Sequence, residues 1–151
     1  MAMKGKLKTR DKLMKIGISR EDTCALCEQD TENSQHLFFR CPFSKRVCHG
    51  TLQWLGKQST ATECLYTQWK KWGRNYSSKR QQKIGYAALT AVVYEVWRAR
   101  NNAIWNLKVP CPNAVVSSIK KIVCMRIQHQ VNSKWSREDK DWLEKIKADE
   151  R

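Results

Sequence analysis

Within eighteen residues the chain places Cys24, Cys27, His36 and Cys41, a C-x2-C-x8-H-x4-C pattern. This spacing constrains the fold more than any other feature. A C-x2-C turn brings two thiolates to two corners of a tetrahedron. The His-x4-Cys pair supplies the other two, and four N/S donors are what structural Zn²⁺ takes. Four protein ligands leave no open position for water, so such a metal is structural rather than catalytic. It would stabilise a segment too small for a core of its own. The acids Glu21, Asp22, Glu28, Asp30 and Glu32 are near enough in sequence to orient His36 through its second nitrogen. Cys48 and His49 stand in reserve as ligands. The competing readings are core thiols beside a surface imidazole, or a redox pair. The redox reading lacks the strand-then-helix setting such a pair needs.

The remaining residues are strongly and unevenly charged. The 151-residue chain carries 29 Lys+Arg against 14 Asp+Glu, a formal net charge of +15. Residues 21–32 hold five acids and no base, whereas residues 33–137 hold 18 Lys/Arg and only Glu63 and Glu95. A long basic stretch interleaved with Trp and Tyr attracts polyanions by counterion release, and nucleic acid is the commonest polyanion. At 41% hydrophobic residues the chain is too apolar for a disordered tail. It has no apolar run long enough for a membrane helix, and its basic start lacks the apolar core of a secretory signal. A reducing compartment is therefore expected, with the nucleus favoured over the cytoplasm. There, seven cysteines read as metal ligands or core thiols rather than disulfides.

The expected fold is mainly α: a small zinc-stapled N-terminal module over residues 1–58, then long amphipathic helices in a basic region over 59–151. Thr9 opens a short helix that Gly17 ends. Ser44 caps a helix that runs to about Leu55, with Gly56 as its stop. Gln58–Thr62 reads as a linker, Glu63–Trp72 as weakly helical and Gly73–Arg80 as a polar loop. Ile84, Ala88, Val92, Val96 and Ala99 form the stripe of a long helix near 79–105. Val115, Val116, Ile119, Ile122, Val123, Ile127 and Val131 form that of a second, near 113–135. Pro110 and Pro112 turn the chain between them. Ser136, three residues before Asp139, resembles the start of a capping box for a last short helix carrying Trp142, Leu143 and Ile146.

Catalytic signals are weak. Cys48 and His49 are adjacent, and neighbours on a helix point about 100° apart. Asp residues occur only at 11, 22, 30, 139, 141 and 149, with no motif that pairs carboxylates for two metals. The chain reads as non-enzymatic. Trp97 and Trp105 read as core. Trp69 and Trp72, beside Lys70, Lys71 and Arg74, suit either base stacking or burial beneath lysine stems, and burial is favoured.

The stretch from Leu7 to Gly56 resembles the zinc-binding domain that follows the reverse transcriptase in plant LINE-type (non-LTR) retrotransposons. The resemblance rests on Leu7-Lys8-Thr9-Arg10-Asp11-Lys12-Leu13, Gly17-Ile18 and Thr23-Cys24-Ala25-Leu26-Cys27. It continues through Glu32-Asn33-Ser34-Gln35-His36-Leu37-Phe38-Phe39-Arg40-Cys41-Pro42-Phe43-Ser44 and Trp54-Leu55-Gly56. The stretch from Val96 to Trp105 is similar to the helix that follows this domain in the same polyproteins. The resemblance implies Cys24, Cys27, His36 and Cys41 as ligands of one structural Zn²⁺, and an accessory role in contacting nucleic acid. No Tyr-x-Asp-Asp polymerase motif accompanies it, so the chain reads as a stand-alone or domesticated fragment.

The leading expectation is a zinc-binding, nucleic-acid-binding module for RNA or DNA with little sequence readout. Phosphate contacts are assigned to Arg40, Lys45, Arg46, Lys70, Lys71, Arg74, Lys79, Arg80, Lys83, Arg98, Arg100, Lys120, Lys121 and Arg126. The alternative is a protein-interaction or homodimerisation module that uses the C-terminal helices, with zinc purely structural.

Overall fold

The computed structural model describes residues 7–58, 65–74 and 76–149. Among the described residues six α-helices follow one another: α1 (Arg10–Lys15), α2 (Pro42–Trp54), α3 (Leu65–Lys71), α4 (Lys79–Asn106), α5 (Pro112–Gln128) and α6 (Arg137–Ala148). One π-helical turn, His36–Arg40, precedes α2. Among the described residues there is no strand, only an isolated antiparallel bridge between Thr23 and Thr31. No helix among them is long and apolar enough to cross a membrane.

The long stripe of α4 packs along α5, and α5 packs on α2. Ile84, Ala88, Val92, Val96 and Ala99 are buried as their spacing predicts, and so are Val115, Val116, Ile119, Val123 and Ile127. One hydrophobic cluster runs from Cys24 and Leu37 near the N-terminus, through Val47 and Val92, to Leu143 and Ile146 of α6. The Trp54 indole donates to the Ile146 carbonyl at 2.8 Å, which ties α2 to α6. Gly85 lies inside α4, where a glycine ordinarily costs about 1 kcal/mol. Its bare backbone lets the Trp72 indole reach its carbonyl at 2.7 Å. A Cβ there would meet the Tyr76 ring at 2.3 Å.

Several boundaries differ from the sequence reading. Helix α2 begins at Pro42, whose missing N–H costs nothing in a first turn. Ser44 therefore sits inside the helix, and its hydroxyl donates back to the Leu37 carbonyl. Thr9 does precede α1, but its hydroxyl donates to the Asp11 carboxylate instead of capping the backbone. Helix α5 stops at Gln128, short of 135. Asn132 then turns the chain by accepting from the Lys134 N–H at 3.1 Å. Trp135 is thereby buried outside the helix, and Val131 is left exposed. Trp105, expected in the core, is 79% exposed. Residues 59–64, which include most of the expected linker and Glu63, lie outside the described residues.

Candidate metal centre

Two tight turns bring the four candidate ligands together. The first holds Cys24 and Cys27. Its base is closed by the Cys24 N–H to the Asp30 carbonyl (2.8 Å) and the Glu32 N–H to the Asp22 carbonyl (2.7 Å). Glu28 completes it in the left-handed region (φ 56). The second turn is the π-helical one. Its five-residue hydrogen bond runs from the Cys41 N–H to the His36 carbonyl at 2.8 Å. In an α-helix, residues five apart point about 140° from each other. The wider turn, followed by Cys41 in an extended conformation (ψ 127), lets His36 and Cys41 face one point. Asn33 starts this segment, its side-chain oxygen accepting the His36 N–H at 2.8 Å.

The ligand atoms of Cys24, Cys27, His36 and Cys41 all lie within 4.8 Å of one another. Cys24 Sγ and Cys41 Sγ are 4.0 Å apart, and Cys27 Sγ is 3.2 Å from His36 Nε2. Tetrahedral zinc, with Zn–S near 2.3 Å and Zn–N near 2.0–2.1 Å, requires about 3.8 Å between sulfurs and about 3.6 Å from sulfur to nitrogen. The observed pairs lie to either side of these values. The set fits one structural zinc.

The surroundings suit a thiolate-rich site. Backbone N–H groups of Leu26 and Cys27 donate to Cys24, and those of Phe43 and Ser44, in the first turn of α2, donate to Cys41. Such donors favour negative sulfur. With both sulfurs against each other, the hydrogen bond between Cys24 and Cys41 raises the Cys24 thiol and lowers that of Cys41. Burial pulls His36 below the usual imidazole range, against the charges of Asp30 and Glu32, and so favours the neutral ring that a metal ligand requires. Asp30 Oδ2 lies 3.7 Å from His36 Nδ1 and is the acid that faces this ring.

Glu32 has a different task. It is fully buried, and Oε1 accepts from Arg100 Nε (2.9 Å) and Nη2 (2.6 Å). The Arg10 N–H donates to the same oxygen at 2.9 Å. One carboxylate therefore joins the zinc turn, the start of α1 and the C-terminal part of α4. Arg100 also donates to the Lys8 carbonyl at 3.1 Å and stacks on Trp97 at 4.7 Å. This corrects the sequence reading of Arg100 as a phosphate contact, since at 3% exposure it has no surface to offer. The signal was present: Arg100 falls four residues after Val96 in the buried stripe, and an arginine there requires a buried acid.

Cys48 lies in the core with its thiol pushed up to about 12 by burial, and His49 is exposed, so neither joins the four. Trp69 and Trp72 are buried, with Trp69 packed edge-on against Phe39 at 4.9 Å. Among the remaining basic residues, Arg80 is half-buried and pairs with Asp139 at 3.6 Å. Lys120 is half-buried and pairs with Asp149 at 3.2 Å. Arg40, Lys45, Arg46, Lys70, Lys71, Arg74, Lys79, Lys83, Arg98, Lys121 and Arg126 are exposed.

Residues 1–47 match the family model described as zinc-binding in reverse transcriptase. The matched span contains all four candidate ligands. No curated protein and no solved structure gives a significant match to the chain.

Proposed function

We propose that this chain, whose N-terminal module is a zinc-binding domain of the reverse-transcriptase type, is a non-enzymatic nucleic-acid-binding module held in shape by one zinc. The single observation behind the reading is the distribution of exposed charge. Between residues 33 and 137 the sequence has 18 Lys/Arg and two acids. One of those acids, Glu95, is 4% exposed and paired with Arg98. Exposed bases on α2, α4 and α5 thus far outnumber the acids of the same stretch, with Arg80 and Lys120 set aside as partners of Asp139 and Asp149, and such a surface suits a phosphate backbone. Contacts of this kind position a nucleic acid without reading its sequence. Nuclear residence, for which Lys79, Arg80 and Lys83 offer a basic cluster, belongs to the same proposal.

The test is binding of a random-sequence oligonucleotide over a salt series. Affinity should fall steeply, by a slope of roughly one per phosphate neutralised. Affinity indifferent to salt, or none at low salt, removes the reading. The partner-protein alternative has less material to draw on than the sequence suggests. The apolar stripes of α4 and α5 are spent on each other and on α2.

A further inference from the structure

We infer that the solvent face of α4 is a platform for an unpaired nucleic-acid strand, with bases stacked on Tyr94 and Trp105 and phosphates held by Lys83 and Arg98. This inference rests on the nucleic-acid reading above and narrows it to single strands and to one face.

Lys83, Tyr94 and Trp105 are spaced eleven residues apart within α4. Eleven residues are three helical turns plus about 20°, so the three residues lie on one line, about 16 Å between neighbours. Arg98 is one turn beyond Tyr94 on the same side. Tyr94 is 61% exposed and Trp105 79% exposed. The chain has seven tryptophans. Trp54, Trp69, Trp72 and Trp135 are buried, and Trp97 and Trp142 pack partly against the core, which leaves Trp105 as the indole with no core role. Tyr86 is half-exposed as well, but its hydroxyl lies against Gly73, so it already has a structural use.

Trp105 borders an open cleft of about 450 Å³ between the end of α4 and the start of α5, which Arg98, Asn102, Asn106, Pro110 and Ser118 also line. The cleft has room for a base with amide and hydroxyl groups at its edge. The occupant follows from charge. Glu95 is the one acid of α4; it borders the same cleft and pairs with Arg98 at 3.3 Å, while Arg98 keeps 66% of its side chain exposed, so the face of α4 carries Lys79, Lys83 and Arg98 against this one carboxylate of the helix and stays net positive. Aromatic faces set among cations are what single strands bind, because every unpaired base offers a π-face. In a duplex those faces are already stacked on their neighbours.

The experiment uses the full zinc-loaded chain. Fluorescence anisotropy would follow a labelled oligothymidylate of about 20 nucleotides and a duplex of equal length, each over a salt series. Tyr94→Ala and Trp105→Ala should each weaken binding of the single strand about tenfold and leave duplex binding and both salt slopes unchanged. Tyr94→Phe and Trp105→Phe should keep most of the single-strand affinity, since they keep a ring. Lys83→Ala should lower the salt slope by about one. Wild-type single-strand affinity in both alanine variants overturns the inference, and salt-dependent binding by those same variants would leave the broader function standing. No binding of either probe by the wild type at low salt removes both. A dimer in light scattering that Trp105→Ala dissociates would assign the face to a second copy and overturn the inference.

Discussion

Glu32 and Arg100 stand 68 positions apart and meet at a fully buried carboxylate. Removing one partner from such a pair strands a charge without water, which typically costs 3–5 kcal/mol. Glu32→Gln and Arg100→Met should each lower the urea midpoint of zinc-loaded protein strongly. The double variant should lose less than the sum of the two, with a coupling of about 2 kcal/mol. Strict additivity would mean the pair does not hold the zinc turn to α4. Asp139 is a second buried carboxylate, 2% exposed. Its burial alone would raise its pKa, but the hydroxyls of Ser78 (2.7 Å) and Ser136, the Gln81 amide (3.1 Å) and the charge of Arg80 together bring it below the usual value. A depressed folded-state pKa stabilises the protein above the unfolded value, and that contribution disappears as pH falls below about 4. Asp139→Asn should therefore destabilise the protein at neutral pH and flatten the acid limb of its stability curve. An unchanged acid limb would contradict the network.

At the scale of elements, the sequence was most legible where periodicity and punctuation agreed. The spacing near 79–105 matches α4, Lys79–Asn106, almost residue for residue. Gly17 (φ 74) and Gly56 (φ 71) adopt the left-handed stops expected of them. Ser136 caps α6 by accepting the Asp139 N–H at 3.1 Å, as the local pattern foretells. The other half of that capping box is absent because the Asp139 carboxylate turns to Ser78 and Gln81 of the neighbouring helix. Only tertiary packing brings those residues near, so no window along the chain reveals the exchange. The π-helical turn was equally hidden, although its cause lies in the H-x4-C spacing itself. Trp105 fits the apolar run of α4 by composition, but its position around the helix is that of Tyr94, on the outside. Ser78 is the plainest test at this scale. Its hydroxyl accepts the Gln81 N–H at 3.1 Å and donates to Asp139 at 2.7 Å. Ser78→Ala should cost about 1 kcal/mol for the cap and more for the lost bond to Asp139, read as a lower melting temperature. A loss confined to a few tenths would mean that solvent replaces both bonds.

For the whole molecule, the zinc turn, the π-helical turn and α4 form one connected unit through Cys24, Cys41, Glu32 and Arg100. The basic surface that would meet a phosphate backbone is carried by helices whose placement depends on that unit. The central claim is that one metal, held by Cys24, Cys27, His36 and Cys41, organises the N-terminal module. Structural zinc contributes on the order of 10–16 kcal/mol in small modules, enough to decide whether such a segment folds. The most direct measurement is the metal content of protein purified without added zinc, with circular dichroism recorded before and after a chelator. The account predicts one zinc per chain and a clear loss of helical signal on chelation, restored by zinc. It also predicts no bound metal in a Cys24→Ser, Cys41→Ser variant. A chain free of metal whose spectrum is indifferent to chelator would contradict it.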